Sequence, residues 1–131
     1  MRPLSKSKLL AFRQCPKRLW LEIHRAELRQ DSAATQASFS VGHQVGDVAR
    51  QLYDAKGKGQ LIDPEDEGLD AAFARSMELL GSSQPIFEAG FSAGGAHAFA
   101  DVMLPVHKGG KRTWRMVEVK SSTSIKDDQR N

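Results

Sequence analysis

The stretch "AHAFADVMLPVHKGGKRTWRMVEVK", Ala96 to Lys120, decides how the chain folds. Two runs rich in β-branched, aromatic and other apolar residues flank the sequence HKGGK, and a Gly-Gly pair supplies the positive φ angles that a tight hairpin turn needs. The spacing predicts a strand over Ala96–Val106 and another over Arg112–Ser122. A turn centred on Gly109-Gly110 sets the register and places Asp101 opposite Glu118. Successive side chains of a strand alternate faces. One face would therefore carry Phe99, Asp101 and Met103 against Lys120, Glu118 and Met116. The other would carry Ala100, Val102 and Leu104 against Val119, Val117 and Arg115, and it reads as core.

Asp101, Glu118 and Lys120 thus converge on one face. Directly opposed carboxylates repel, so the pairing needs a compensating cation. Lys120 is one candidate and a divalent metal ion is another. Mg²⁺ takes oxygen ligands, commonly one or two carboxylates with water and substrate phosphate. An ion held there could polarise a phosphodiester, with the lysine orienting water or stabilising developing charge. The same residues also read as an exposed salt-bridge ladder, and spacing leaves both readings open.

Working outward, Ile86–Phe91 reads as a further strand, which gives a three-stranded antiparallel meander in the second half of the chain. The first half reads as helices. Ser5 or Ser7 can cap a helix carrying Leu9, Leu10 and Phe12, and Pro16 suits the first turn of a second, bent away at Cys15. Asp31–Ser38 reads as a loop. Apolar residues recur at intervals of three and four from Phe39 to Tyr53, predicting a helix in which Gly42 and Gly46 permit close packing. A turn and short strand follow in KGKGQLID, then one helix from Pro64 to Gly81. The fold class is α/β with an α+β order in the chain.

The 131 residues, 40% of them hydrophobic, suffice for one core, so a single domain over 1–131 is expected. No window is apolar enough to span a membrane and the start lacks a signal-peptide core, which points to a cytoplasmic protein without membrane partners. The lone Cys15 excludes an internal disulfide and reads as a buried small hydrophobe. The net charge of +3 is unevenly spread. Residues 1–30 hold eight basic residues, Arg2, Lys6, Lys8, Arg13, Lys17, Arg18, Arg25 and Arg29, against Glu22 and Glu27. This basic end suits a phosphate backbone as partner and suits a solvated helix face equally well.

GAHAFADVML followed by WRMVEVKSSTS resembles the D…(D/E)-x-K signature of the PD-(D/E)XK nuclease superfamily. The opening LSKSKLLAFRQCPKRLWL, with IFEAGF in the first strand of the meander, is similar to the RecB-like branch, which includes CRISPR-associated exonucleases. The resemblance implies a restriction-endonuclease-like core and a Mg²⁺- or Mn²⁺-dependent nuclease acting on single- or double-stranded DNA, in repair, defence or mobile-element processing. Asp101 and Glu118 would be metal-binding acids, the main-chain carbonyl of Val119 a further ligand and Lys120 the catalytic lysine. Glu88 matches an acid frequent in RecB-like relatives. Lys6, Lys8, Arg13, Lys17 and Arg18 would lie on DNA.

The chain departs from that pattern at three places. Gly46 stands where relatives carry a helical His or Glu ligand; His43, one turn earlier, reads as a surface or capping residue, with substitution for that ligand as the alternative. Cys15 matches the first cysteine of iron-sulfur members but has no companions, so no cluster is expected. A final helix carrying Gln and Tyr has no counterpart, which implies a domain lacking the C-terminal part of the fold, supplied by a larger protein or complex. An inactive nucleic-acid-binding module, or a fragment of a larger nuclease, is therefore the alternative function. His24 reads as a cap or solvent-facing residue, His107 as a turn neighbour, His97 as near the charged face, and Trp20 and Trp114 as core.

Overall fold

The structure is a computed structural model, and it describes residues 3–122. It is a mixed helix and strand fold with a four-stranded mixed sheet. Arg2 and the segment from Thr123 onward lie outside the described residues. Helix α1 spans Lys6–Gln14 and α2 spans Pro16–His24, separated by Cys15 in extended conformation. Ser5 caps α1 by accepting from the Lys8 N–H, and Pro16 opens α2, where its missing N–H costs nothing. A 3₁₀ turn over Ala26–Leu28 leads to α3, Ala33–Tyr53.

Helix α3 begins six residues earlier than the loop reading of Asp31–Ser38 allows. Ser32 accepts from the Thr35 N–H at 3.2 Å, and Ala33, Ala34 and Ala37 favour the helix once it is capped. The expectation for its glycines is also corrected. A Cβ at Gly42 would meet nothing within 4 Å, and one at Gly46 only the Arg50 guanidinium at 4.0 Å. Both face open space. The expected single helix from Pro64 to Gly81 is two, α4 over Pro64–Glu67 and α5 over Leu69–Leu79, because Gly68 adopts φ +85° between them.

The sheet runs β1 (Gln60–Leu61), β2 (Ile86–Ala93), β3 (Ala96–Lys108) and β4 (Lys111–Val117) in that order. The three-stranded antiparallel meander is thereby corrected: the short strand β1 joins its edge, parallel to β2, making the sheet mixed. Gly109 and Gly110, at φ +57° and +74°, close the β3–β4 hairpin. Val102 pairs with Val117 and Met103 with Met116, which is the register the sequence predicts. Strand pairing ends at Val117, one residue short of Glu118.

Both faces of the sheet are covered, so the division into one core face and one charged face is also corrected. Ile62, Ala72, Ile86, Ala89, Ala100 and Met103 form one buried cluster beneath α5, with Phe91 and Trp114 packed on it. Ala49, Phe87 and Val102 form a second, against Tyr53, Leu104, Val117 and Val119. Ala100 and Met103 share a cluster although they are three residues apart, and so do Ile86 and Ala89. The alternation of both strands slips at Asp101 and Glu88, which lie between those pairs. Two further expectations fail at the surface. Trp20 is 54% exposed and stacks on exposed His24 at 4.9 Å, and Cys15 is exposed too, because α2 buries none of its residues.

The N-terminal segment is tied to the sheet by its main chain. The Leu4 N–H donates to the Gly95 carbonyl at 2.8 Å, and the His97 N–H donates to the Leu4 carbonyl at 2.7 Å. Helix α5 is tied by a side chain. The Ser76 hydroxyl, fully buried, donates to the Ala72 carbonyl at 2.7 Å and accepts from the Gly90 N–H of β2 at 2.9 Å. Ser76→Ala leaves that buried N–H without its partner, so urea unfolding should show a loss of about 1–3 kcal/mol.

Candidate functional site

Asp101 sits on β3 between buried Ala100 and Val102. The pairs Phe87–Val102 and Ala89–Ala100 bracket it and place Glu88 directly across from it on β2. Glu88 interrupts the ladder. Its φ of +58° lies in the left-handed region, which costs a non-glycine residue about 1–3 kcal/mol and turns its peptide groups out of register. The sequence IFEAGF alternates cleanly and gives no sign of this.

Beyond the end of β4 the chain is held by Asp101 itself: the Val119 N–H donates to Asp101 Oδ2 at 2.7 Å. This bond fixes the carboxylate and brings Val119 and Lys120 alongside it. Glu118 turns elsewhere. Its exposed carboxylate accepts from Lys6 Nζ of α1 at 2.5 Å and from Lys120 Nζ at 2.9 Å. These two ammonium groups, Lys6 first, lower its pKa. Asp101 and Glu118 thus have different hydrogen-bond partners, Asp101 the Val119 amide and Glu118 two lysines.

A cavity of about 250 Å³ opens between α3 and the sheet, lined by Glu88, Asp101, Val119, Lys120 and Ser121 with Gly42, Gly46 and Arg50 of α3. The two glycines keep its roof open. Glu118 does not line it; it lines a second concavity beside α1 with Lys6, His97 and Phe99, which Asp101, Val119 and Lys120 also border. His43 borders a third, next to Glu88 and Arg50. Burial raises the Glu88 pKa, and the charge of Asp101 raises it further, while Arg50 and His43 act in the opposite direction. Arg50 is itself ion-paired to Asp47.

Glu88 and Asp101 are thus two oxygen-donor groups facing one cavity, incompletely neutralised by the cations around them. That donor chemistry fits a divalent cation of the Mg²⁺ or Mn²⁺ kind, with the Val119 main chain adjacent. Among the described residues no three His, Cys, Asp or Glu side chains lie together as a ready set of metal ligands. Glu118 would have to exchange its lysines to complete one. His43 reaches Glu88 through its charge.

The residues assigned to DNA are distributed along α1 and α2. Lys6 is engaged with Glu118, Lys8 donates to the Pro3 carbonyl at 2.6 Å, and Arg18 pairs with Glu22 at 2.9 Å. Arg13 and Lys17 are exposed. Of these five, Lys6 lines a concavity that Asp101 also borders. Sequence reasoning missed Arg50, and the signal lay in its place four residues after Gly46, on the same helical face. No family model, curated protein or solved structure matches the chain. Among the described residues no helix is long and apolar enough to cross a membrane.

The raised Glu88 pKa has a definite consequence for stability. Its ionised form is penalised in the folded state, so the penalty is absent below the ordinary value near 4.5 and grows as pH rises from there through the folded pKa. Glu88→Gln should therefore raise Tm at pH 7. The gain over the parent should shrink steadily on acidification and disappear below about pH 4, as thermal melts across that range would show.

Proposed function

We propose that the chain is a divalent-metal-dependent nuclease that hydrolyses DNA phosphodiester bonds, on a restriction-endonuclease-like core of the PD-(D/E)XK type, RecB-like branch. The observation that carries this reading is the shared cavity: Asp101, fixed by the Val119 amide, faces Glu88 across two strands with Lys120 on the same wall. A bound Mg²⁺ or Mn²⁺ would supply Lewis-acid activation of the scissile phosphate and of a water.

The chain's own groups have distinct tasks. Asp101 offers an oriented carboxylate that needs no rearrangement, and Glu88 adds a second acid whose ionised form a cation would favour. Glu118, with the Val119 carbonyl, completes the acidic set once it parts from the lysines. Lys120 then orients the attacking water or stabilises charge developing on the phosphate. The exposed cations of α1 and α2 position the backbone without reading sequence.

A second reading has its own observation. Glu118 is neutralised by two ammonium groups, the resting state expected of an exposed salt-bridge cluster in a nucleic-acid-binding module without catalysis. Catalysis separates the two readings. Purified chain incubated with Mn²⁺ and linear single- or double-stranded DNA should degrade it, and Asp101→Asn and Lys120→Ala should each cut the rate by about a hundredfold or more. Unchanged circular dichroism and Tm in Lys120→Ala would show that the loss is chemical. A folded parent that binds DNA in a salt-dependent way and leaves it intact would establish the binding module instead.

A further inference from the structure

Lys6 holds a place in this site that the nuclease signature does not assign. It stands on the first turn of α1, and three features build its position: the two main-chain bonds between Leu4 and the Gly95–His97 segment, the Ser5 cap, and the Lys8 bond to the Pro3 carbonyl. From there its ammonium reaches Glu118 Oε1 at 2.5 Å, on the same oxygen that Lys120 contacts at 2.9 Å. One carboxylate oxygen thus serves two cations, and one of them comes from a distant element. The concavity that holds this pair adjoins Asp101 and carries His97, Phe99 and Met116 on its walls, so a strand lying there would bring phosphate to Lys6.

We propose that Lys6 is a substrate-operated latch: in the DNA-free protein it occupies the Glu118 carboxylate, and a strand phosphate takes over the ammonium when DNA binds, releasing Glu118 to a divalent cation. The inference rests on the nuclease reading of Asp101 and Glu118. Its consequence is reciprocal coupling, because anything that draws Lys6 from Glu118 favours the cation, and the bound cation favours the strand by the same factor. Lys6 is a positioning residue in this scheme, acting through Glu118. The exposure of the pair limits the effect to a modest one.

The test is a calorimetric titration of Mn²⁺ into the full chain, with and without a short single-stranded phosphorothioate oligonucleotide that keeps the backbone charge and slows cleavage. Lys6→Gln should bind Mn²⁺ about two- to fivefold more tightly than the parent without DNA, the range an exposed pair supports. The oligonucleotide should tighten Mn²⁺ binding to the parent and leave that of Lys6→Gln unchanged. Lys6→Arg, which keeps the charge, should behave as the parent, and this separates the latch from a disturbance of α1. Equal Mn²⁺ affinity in parent and Lys6→Gln, with the same response to DNA, overturns the latch. If Asp101→Asn abolishes Mn²⁺ binding in that case, the metal site stands and the latch alone falls. Absence of Mn²⁺ binding in parent and variants alike removes the site reading and the latch with it.

Discussion

The hydrogen bond from the Val119 amide to Asp101 joins the fold to the site. The β3–β4 ladder ends at Val117, and the described residues 118–122 have no strand partner to direct them. A carboxylate on β3 supplies the direction, drawing the Val119–Ser121 segment over the open end of the sheet and setting Lys120 at the cavity. Charged hydrogen bonds of this kind are stronger than neutral ones, and they orient both partners. Without it Lys120 would still neighbour Glu118 in sequence but would not be held beside Asp101.

The second constraint is electrostatic. A sheet covered on both faces has little room for charge, yet β2 and β3 bring Glu88 and Asp101 opposite each other in its interior half. The backbone of Glu88 takes a left-handed conformation there, and its carboxyl resists ionisation. Strain and a perturbed acid at the same residue, on the wall of a cavity, mark a place where local stability has been given up. Arg50 and His43 answer part of that charge from α3, which ties the long helix to the same site.

Much of this was legible in the sequence where local rules govern. The Gly109-Gly110 turn fixed the hairpin register, and Ser5 and Pro16 marked the helix starts, because turn and cap chemistry act over a few residues. What sequence reasoning lost was decided by packing. The one-sided view of the hairpin failed because α3 and α5 cover opposite faces, and Trp20 proved exposed on a helix that buries none of its residues. The turn register and strand alternation put Asp101, Glu118 and Lys120 on one face, and all three border the concavity beside α1. The contact of Glu118 with Lys6 was not legible, since the two are 112 residues apart and the docking of Leu4 beside Ala96 brings them near. The φ of Glu88 left no local trace.

Whether Asp101 and the Val119 segment form one wall of a cation site is tested most directly by the anomalous scattering of Mn²⁺ in a crystal of the chain. The expected result is a peak within coordination distance of the Asp101 carboxylate, on the cavity side shared with Glu88 and Lys120. A well-ordered cavity with no peak in it, while Mn²⁺ occupies other acidic positions on the surface, would contradict the cation site.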